Sequence, residues 1–238
     1  MSTLGSLEYS EPVTESHTIG KAARRGLGDE VADRIRDAIF AGQFAPGAPV
    51  REVELAEALD VSRGSVRDGL AQLTREGLLH SEWHRGTRVI DLTVADIEEV
   101  YSVRAALERL ATCAAAEHAG EDVHDRLDQI VSTMANELDA NSDGPRLLAL
   151  DIDFHDQIYT AAGNRRLLEA WHALRSQVYL FQLARIRLDD NDYRTRMVTE
   201  HWKLAMLLRK RDTKALATVA EEHVHSARGA LVAKLLND

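Results

Sequence analysis

The stretch from Thr93 to Leu236 contains only segments with the periodicity of amphipathic helices. Six such segments follow one another, at about 94–118, 122–140, 144–161, 165–188, 192–209 and 212–236. The short breaks between them carry Gly, Asn, Asp and Pro, which suit the end of one helix or the start of the next. No segment shows the alternating pattern of a strand, so we expect a bundle of six helices.

A smaller unit with a mixed pattern comes before this bundle. Apolar residues recur at helical spacing from Asp29 to Ala41, a Gly- and Pro-rich break follows, and a short helix is expected at about 52–59. Ser62 suits the N-cap of a second helix that ends near Gly77, and "LLHSEWHRGTRVI" then predicts two strands around a turn. Helix, helix, tight turn, helix and hairpin is the order of a winged helix-turn-helix.

These patterns divide the chain into three parts. Residues 1–25 are rich in Ser, Thr and Gly without a sustained period, which predicts a flexible arm. Residues 26–91 form the predicted winged helix-turn-helix, and residues 92–238 form the helical bundle. The expected fold class is therefore mainly α, with one small β-hairpin as the wing.

The net charge of −10 at first argues against nucleic acid as a partner. The acidic excess lies mostly in residues 91–238, however, whereas residues 21–90 carry 11 basic and 11 acidic side chains, so arginines are available to cluster locally. No apolar run approaches the ~20 residues that cross a bilayer, and the N-terminus lacks the pattern of a secretory signal. Because the lone Cys113 forms no internal disulfide, we expect a cytoplasmic protein without membrane association.

The segment "LAEALDVSRGSVRDGLAQLTREGLL" has the strongest features of a DNA-reading element. Its second helix would enter the major groove by the N-terminal end, where Arg63, Ser65 and Arg67 meet base edges and phosphates. Arg85 and Gly86, at the hairpin turn, are placed to reach a flanking groove or phosphate. The alternative is that these arginines only solvate a surface helix, which explains a single arginine better than the whole set.

At this point the sequence shows a family resemblance. The stretch "GQFAPGAPVREVELAEALDVSRGSVRDGLAQLTREGLL", followed by "HRGTRV", resembles the N-terminal domain of the GntR family of bacterial regulators over roughly residues 29–90. The resemblance implies that Arg63, Ser65, Arg67 and the turn of the wing contact a double-stranded operator in or near the nucleoid.

The recognition helix also departs from the family pattern. Gly64, Ser65 and Gly69 stand where relatives often carry Thr-Pro and Ala, and each Gly in a helix costs about 0.5–1 kcal/mol. We therefore expect a softer helix with a different base preference. Val53 occupies a position at which some members have a DNA-contacting Arg.

In the bundle, one carboxylate and three imidazoles fall on faces that point towards the core. Asp151 and His155 are four residues apart on one helix, and His201 and His223 lie on the apolar stripes of two later helices. One buried histidine usually has ordinary core partners, but three with an aspartate would be costly to bury without a shared partner. A divalent cation satisfies all four, with Zn²⁺ favoured and Ni²⁺ or Mn²⁺ left open.

The bundle shows a second resemblance, through "VRAALERLA", "DIDFHDQIYTAAGN" and the pair His201 and His223. It is similar to the all-helical, metal-binding (FCD-type) ligand domain of the FadR subfamily, which implies metal ligation by the four residues named above and a carboxylate effector on the metal. Arg104, on the inward face of the first helix, and Arg185 are candidate partners of that anion. For each arginine, a structural ion pair with a helix carboxylate is the alternative.

These features favour a ligand-responsive transcription regulator, in this family most often a repressor. Two copies in a symmetric homodimer would bind a pseudo-palindromic operator. A metal-dependent enzyme tethered to a DNA-binding module is the second hypothesis, although no HExxH motif is present and only Asp151 stands out as a possible base near the ligands. A sensor of the metal alone is the third. We therefore expect a regulator and not an enzyme.

Overall fold

The computed structural model describes residues 26–82, 86–140, 144–187 and 191–236, and the predicted arm of residues 1–25 lies outside them. The described residues form nine helices and one three-stranded sheet. In chain order the elements are α1 (Leu27–Phe40), β1 (Pro49–Val50), α2 (Glu52–Leu59), α3 (Arg63–Arg75), β2 (Leu79–Glu82), β3 (Gly86–Val89), α4 (Val94–His118), α5 (Glu121–Asp139), α6 (Gly144–Ala161), α7 (Arg165–Arg187), α8 (Asn191–Arg209) and α9 (Thr213–Leu235). Within the described ranges, no helix combines the length and apolar content that crossing a bilayer requires.

The N-terminal unit has the predicted order, with one additional strand. Helices α1 and α3 pack through Val31, Ile35, Val66 and Leu70, which are all buried. The sheet is antiparallel in the order β1-β3-β2, so the predicted hairpin of β2 and β3 gains β1 along its β3 edge. The two residues of β1 lie in the Gly- and Pro-rich break, where a pattern of two residues is too short to indicate a strand.

Gly69 on α3 permits a close approach between α3 and α1. A Cβ atom at this position would lie 2.9 Å from Val31 Cγ1 and 3.0 Å from the Gly28 carbonyl oxygen. Gly64 has no comparable neighbour, since its nearest contact would be Ser62 Oγ at 3.6 Å. Packing therefore accounts for Gly69, whereas nothing in the described structure requires glycine at position 64.

The six predicted helices of the C-terminal unit are all present, with boundaries within one or two residues of the expected ones wherever their ends are described. Helix α4 begins with a capping box in which Thr93 Oγ1 accepts from the Asp96 backbone N–H at 3.1 Å. It contacts α6, α7, α8 and α9, which makes it the central helix of the bundle. Tyr101, Phe154 and Trp171 are among the fully buried side chains of this core.

Helix α7 of the bundle packs against the N-terminal unit. Leu180 is buried in the core of the N-terminal unit, although it belongs to a bundle helix. The rings of Phe40 and Tyr179 have centroids 4.3 Å apart, and Ser176 Oγ donates to Glu76 Oε2 at 3.0 Å. The residues at the end of α1 and α3 are thus held by one face of α7.

Candidate metal centre and DNA-facing surface

Four side chains from three helices meet inside the bundle. Asp151 and His155 come from α6, His201 from α8 and His223 from α9, and all four are buried. Each offers one ligand atom, and these atoms all lie within 4.8 Å of one another. The structure therefore brings together the four residues that the sequence singled out, and the cluster could hold a metal ion.

The second ring nitrogen of each imidazole is already engaged. In each case Nδ1 donates to an oxygen acceptor: His155 to Glu108 Oε1 at 2.6 Å, His201 to the Met197 carbonyl at 2.6 Å and His223 to Glu200 Oε2 at 2.7 Å. With the proton on Nδ1, each ring keeps a lone pair on Nε2, and partners of this kind orient metal-bound histidines in proteins. The three rings are thus arranged as donors to a common cation.

The contact between Asp151 and His201 also fits a cation. Asp151 Oδ1 lies 3.1 Å from His201 Nε2, and both Asp151 Oδ2 and His201 Nε2 lack a hydrogen bond among the described residues. With the His201 proton on Nδ1, two acceptors face each other. Neighbouring donor atoms around a metal with bonds of about 2.1 Å are roughly 3.0–3.4 Å apart, so a cation between this pair is well accommodated.

The charge states favour metal binding. Burial would raise the pKa of Asp151, but without a metal a hydrogen bond from the His201 ring and the positive groups around the carboxylate outweigh burial and hold the pKa well below its usual range. A bound cation would take the place of that hydrogen bond between the two side chains. Burial lowers the pKa of His223 to about 4, and the hydrogen bond to Glu200 opposes this only in part. An ionised carboxylate and a neutral imidazole are the forms that bind a metal.

Arg104 lies beside the cluster and is completely buried. Its Nη2 is 3.1 Å from His155 Nε2, and its Nε is 3.9 Å from Glu108 Oε2, while Nε and Nη1 have no hydrogen bond among the described residues. Burial opposes ionisation of Glu108, yet His155 and Arg104 together lower its pKa to about 2. The Tyr101 hydroxyl is also buried without a hydrogen bond there. Arg104 therefore forms an ion pair with Glu108 of its own helix, and it also keeps N–H donors without a hydrogen bond among the described residues.

A small cavity adjoins the cluster on the side of α7, α8 and α9. Its volume is about 10 Å³, which is enough for about one water molecule. Arg185 and Gln182 line it from α7, and Glu200 lines it from α8. Arg185 is buried, as its position on an inward face requires. A ligand larger than a water molecule would have to displace side chains that line the cavity.

Four further polar residues lie at the site and were not predicted from the sequence: Glu108, Glu200, Tyr101 and Gln182. Glu108 lies one turn after Arg104 on the same inward face of α4, and that spacing could have indicated it. Glu200 precedes the predicted ligand His201 in the sequence, and no pattern of its own indicates a role. Tyr101 and Gln182 follow the apolar pattern of their helices and carry no separate signal.

The residues predicted to face DNA lie in the first turns of α3. Ser62 caps the helix, accepting from the Ser65 backbone N–H at 3.1 Å, and the two serine hydroxyls are 2.9 Å apart. Arg63 and Arg67 are exposed, and the ion pair of Arg63 with Glu52, at 3.8 Å, is open to solvent. In the wing, Gly86 is exposed with a φ of 74°. Arg85 lies outside the described residues.

Comparisons with known proteins agree with both units. A family model described as "FCD domain" matches residues 99–226, and one described as "Bacterial regulatory proteins, gntR family" matches residues 27–89. The chain is 34% identical over 163 residues to "Probable D-xylose utilization operon transcriptional repressor" from Paenarthrobacter nicotinovorans, with 68% of this chain and 70% of the relative covered. It is 28% identical over 223 residues to the Uxu operon transcriptional regulator of Escherichia coli (strain K12), with 85% and 86% covered.

A solved structure shares the fold. E. coli McbR/YncC superimposes with a TM-score of 0.74 over 87% of this chain and 98% of the other, at 18% sequence identity. At that identity the likeness concerns the arrangement of the helices and the sheet alone.

Proposed function

The chain belongs to the GntR family of bacterial regulators and carries an FCD domain, and on this premise we propose that it is a metal-dependent repressor whose operator affinity responds to a small carboxylate. It is a DNA-binding transcriptional regulator rather than an enzyme, like the relatives it matches. The metal, the carboxylate, the homodimer and the individual contacts are the proposed parts.

One observation carries the proposal. Three imidazoles with engaged Nδ1 atoms and one ionised aspartate surround a common point, and a buried guanidinium with unused donors lies next to them. Such a set is suited to hold a divalent cation and an anion side by side.

We propose that two copies bind a pseudo-palindromic operator, each placing the start of α3 in the major groove. Arg63 and Arg67 would donate to guanine edges or phosphates, and Ser65 would donate to a phosphate oxygen. Arg85 and Gly86 of the wing would contact the backbone beside that groove. This role places the protein in the cytoplasm, at the nucleoid.

Asp151, His155, His201 and His223 would hold the metal, and Zn²⁺ suits this donor set best, with Ni²⁺ and Mn²⁺ as alternatives. When bound, the metal supplies a positive charge and open positions for carboxylate oxygens. Arg104 would donate to the same carboxylate through Nε or Nη1, and the Tyr101 hydroxyl is a further donor beside it. Arg185, on the cavity wall, would balance a second negative group.

Helix α7 offers a route from the effector to the DNA. One face of it, with Gln182 and Arg185, lines the cavity, and another holds the N-terminal unit through Ser176 and Leu180. The cavity holds about one water molecule, so a bound carboxylate would have to displace its walls. A shift of α7 would change how the two recognition helices are presented to the operator.

The test starts from duplexes selected out of a random library by the purified protein. Affinity for a selected duplex is then measured by fluorescence anisotropy at one salt concentration, with Zn²⁺ or a chelator, and with a panel of small carboxylates. We expect at least one acid to change the affinity of the metal-loaded protein by about 5–150-fold, the usual range of coupling between sites. His201→Ala, checked for its fold by circular dichroism, should lose that response.

The outcomes separate the hypotheses. A response to acids that persists in His201→Ala would contradict the role of the metal. Operator affinity that follows Zn²⁺ but none of the acids would favour a sensor of the metal alone. A chain that selects no duplex at all would contradict the proposed operator contacts.

A further inference from the structure

His155 Nε2 has one lone pair and two prospective partners. Its Nδ1 proton is committed to Glu108 Oε1 at 2.6 Å, so Nε2 is the acceptor of the ring. Arg104 Nη2 lies 3.1 Å from this nitrogen and donates to it. The same Nε2 is the atom of His155 that would bind the proposed metal. One lone pair cannot serve a guanidinium N–H and a metal ion at the same time.

We propose that Arg104 links metal binding to effector binding by exchanging its partner. While the lone pair of His155 is available, Arg104 donates to it; once His155 ligates a metal, Arg104 turns its donors to the carboxylate of the effector. Arg104 thus opposes metal binding when no anion is present, and an anion removes that opposition. This inference rests on the proposed function and adds the regulation of the same site.

The surroundings of Arg104 fit an exchangeable partner. Its Nε is 3.9 Å from Glu108 Oε2, beyond hydrogen-bonding distance, so Glu108 balances its charge without fixing its direction. The guanidinium carbon lies over the rings of Tyr101 and Trp171, 5.8 and 5.9 Å from their centroids, and these cation–π contacts do not fix the direction of any single N–H. Among the described residues, the hydrogen bond to His155 is its directional contact, since Nε and Nη1 have none.

Glu108 makes the exchange possible from the other side. Its second oxygen, Oε2, also accepts from the Tyr159 hydroxyl at 3.2 Å, so the carboxylate is anchored independently of Arg104. His155 therefore keeps its orientation when Arg104 moves, and Glu108 acts as a positioning residue for the ring. The site then has one fixed carboxylate and one movable cation.

The test compares the Zn²⁺ affinity of Arg104→Met with that of the unaltered protein, using a competing chelator dye. Without an anion, we expect Arg104→Met to bind Zn²⁺ about tenfold more tightly, within the usual range of coupling between sites. Arg185→Met is the matched control, because it also removes one buried positive charge of the bundle, from α7 on the wall of the neighbouring cavity. It should change the Zn²⁺ affinity clearly less than Arg104→Met does.

The reciprocal measurement uses acetate as the probe anion, with free Zn²⁺ corrected for its acetate complexes. Acetate should tighten Zn²⁺ binding by the unaltered protein clearly more than it tightens binding by Arg104→Met, which keeps only the contact of acetate with the metal. Because a buried Glu108 without Arg104 could prevent folding, the neutralised pair Arg104→Met with Glu108→Gln is measured against Glu108→Gln alone. The same direction of change is expected between those two variants.

Two failures are distinguishable. If the unaltered protein binds no Zn²⁺, the proposed function fails. The exchange of partners is refuted, and the metal site stands, if the unaltered protein binds Zn²⁺ and the folded Arg104 variants bind it no more tightly than their references. The same conclusion follows if Arg185→Met increases the Zn²⁺ affinity as much as Arg104→Met does.

Discussion

Replacement of Glu108 and of Glu200 should weaken metal binding to very different extents. Each carboxylate accepts an Nδ1 proton from a proposed metal ligand, at 2.6 Å for His155 and at 2.7 Å for His223. They differ in exposure, because the side chain of Glu108 is 0% exposed and that of Glu200 is 31% exposed. Water can replace the carboxylate of Glu200 as an acceptor, whereas no water reaches the place of Glu108.

The magnitude follows from this difference. Loss of a partner that orients a metal-bound histidine typically costs 10–100-fold in metal affinity, or about 1.4–2.7 kcal/mol. We expect Glu108→Ala to reach the upper end of that range, because it also leaves Arg104 as an uncompensated buried charge near the metal. Glu108→Gln keeps a carbonyl acceptor for His155 and should lose about tenfold. Glu200→Gln should lose only about threefold, since half-exposed partners contribute less.

The assay is competition of the purified variants with a chelator dye for Zn²⁺, after circular dichroism has established that each variant is folded. Tyr159→Phe removes the other hydrogen bond of Glu108 without touching a ligand, and it serves as the structural control. Equal losses in Glu108→Gln and Glu200→Gln, or a larger loss in Glu200→Gln, would show that burial does not govern the role of these carboxylates.

Three further predictions concern the N-terminal unit. In chemical denaturation, Gly69→Ala should lower the free energy of unfolding by about 1–3 kcal/mol through overpacking against α1, whereas Gly64→Ala should raise it by about 0.5–1 kcal/mol. A more stable Gly69→Ala and a less stable Gly64→Ala would contradict the packing at α3. Arg67→Ala should weaken binding to a selected duplex at least about tenfold at fixed salt, and unchanged affinity in anisotropy would exclude it from the interface. Burial opposes ionisation of Glu76, but its hydrogen bonds with Arg36 outweigh burial and lower the pKa of Glu76 below its usual 4.5. The ion pair therefore stabilises the fold above pH 4.5, and this contribution is lost as the pH falls. The stability gap between the unaltered protein and Glu76→Gln should therefore narrow below pH 4.5 in urea titrations, and a constant gap would refute the pairing.

Periodicity was sufficient to predict the helices of the bundle. The segment predicted at about 144–161 coincides with α6, because the residues that begin and end this helix, Gly and Pro at its start and Gly and Asn after its end, are visible in the sequence. The two-residue strand β1 could not be predicted, since its pairing with β3 depends on Arg88 and Thr87, which are far from Pro49 and Val50 along the chain. Local sequence carries helix periods well and strand partners poorly.

The site divides in the same way. Asp151, His155, His201 and His223 were predictable because imidazoles and a carboxylate are conspicuous on apolar faces. Glu108 had only the weak signal of its spacing from Arg104, because a glutamate within "LERLA" looks like an ordinary solvent-facing residue until the fold places it against His155. The contact between Arg104 and His155 spans 51 positions and requires the crossing of α4 and α6, which no local pattern contains.

Of the two glycines from which a softer recognition helix was expected, one has a packing role that the sequence does not reveal. At Gly69, the missing side chain is needed for close contact with Val31 and Gly28. A residue that looks like a local weakness along the sequence is therefore a requirement of tertiary packing. At Gly64, which has no close neighbour, the ordinary cost of glycine in a helix still applies.

The metal content of the purified protein tests the central claim most directly. After dialysis against buffer with trace Zn²⁺, elemental analysis should find about one divalent ion per chain in the unaltered protein, and far less in Asp151→Ala and His201→Ala that remain folded. A full-length, folded protein that takes up no divalent ion, or variants that retain the same content, would contradict the idea that these four buried side chains form a metal centre.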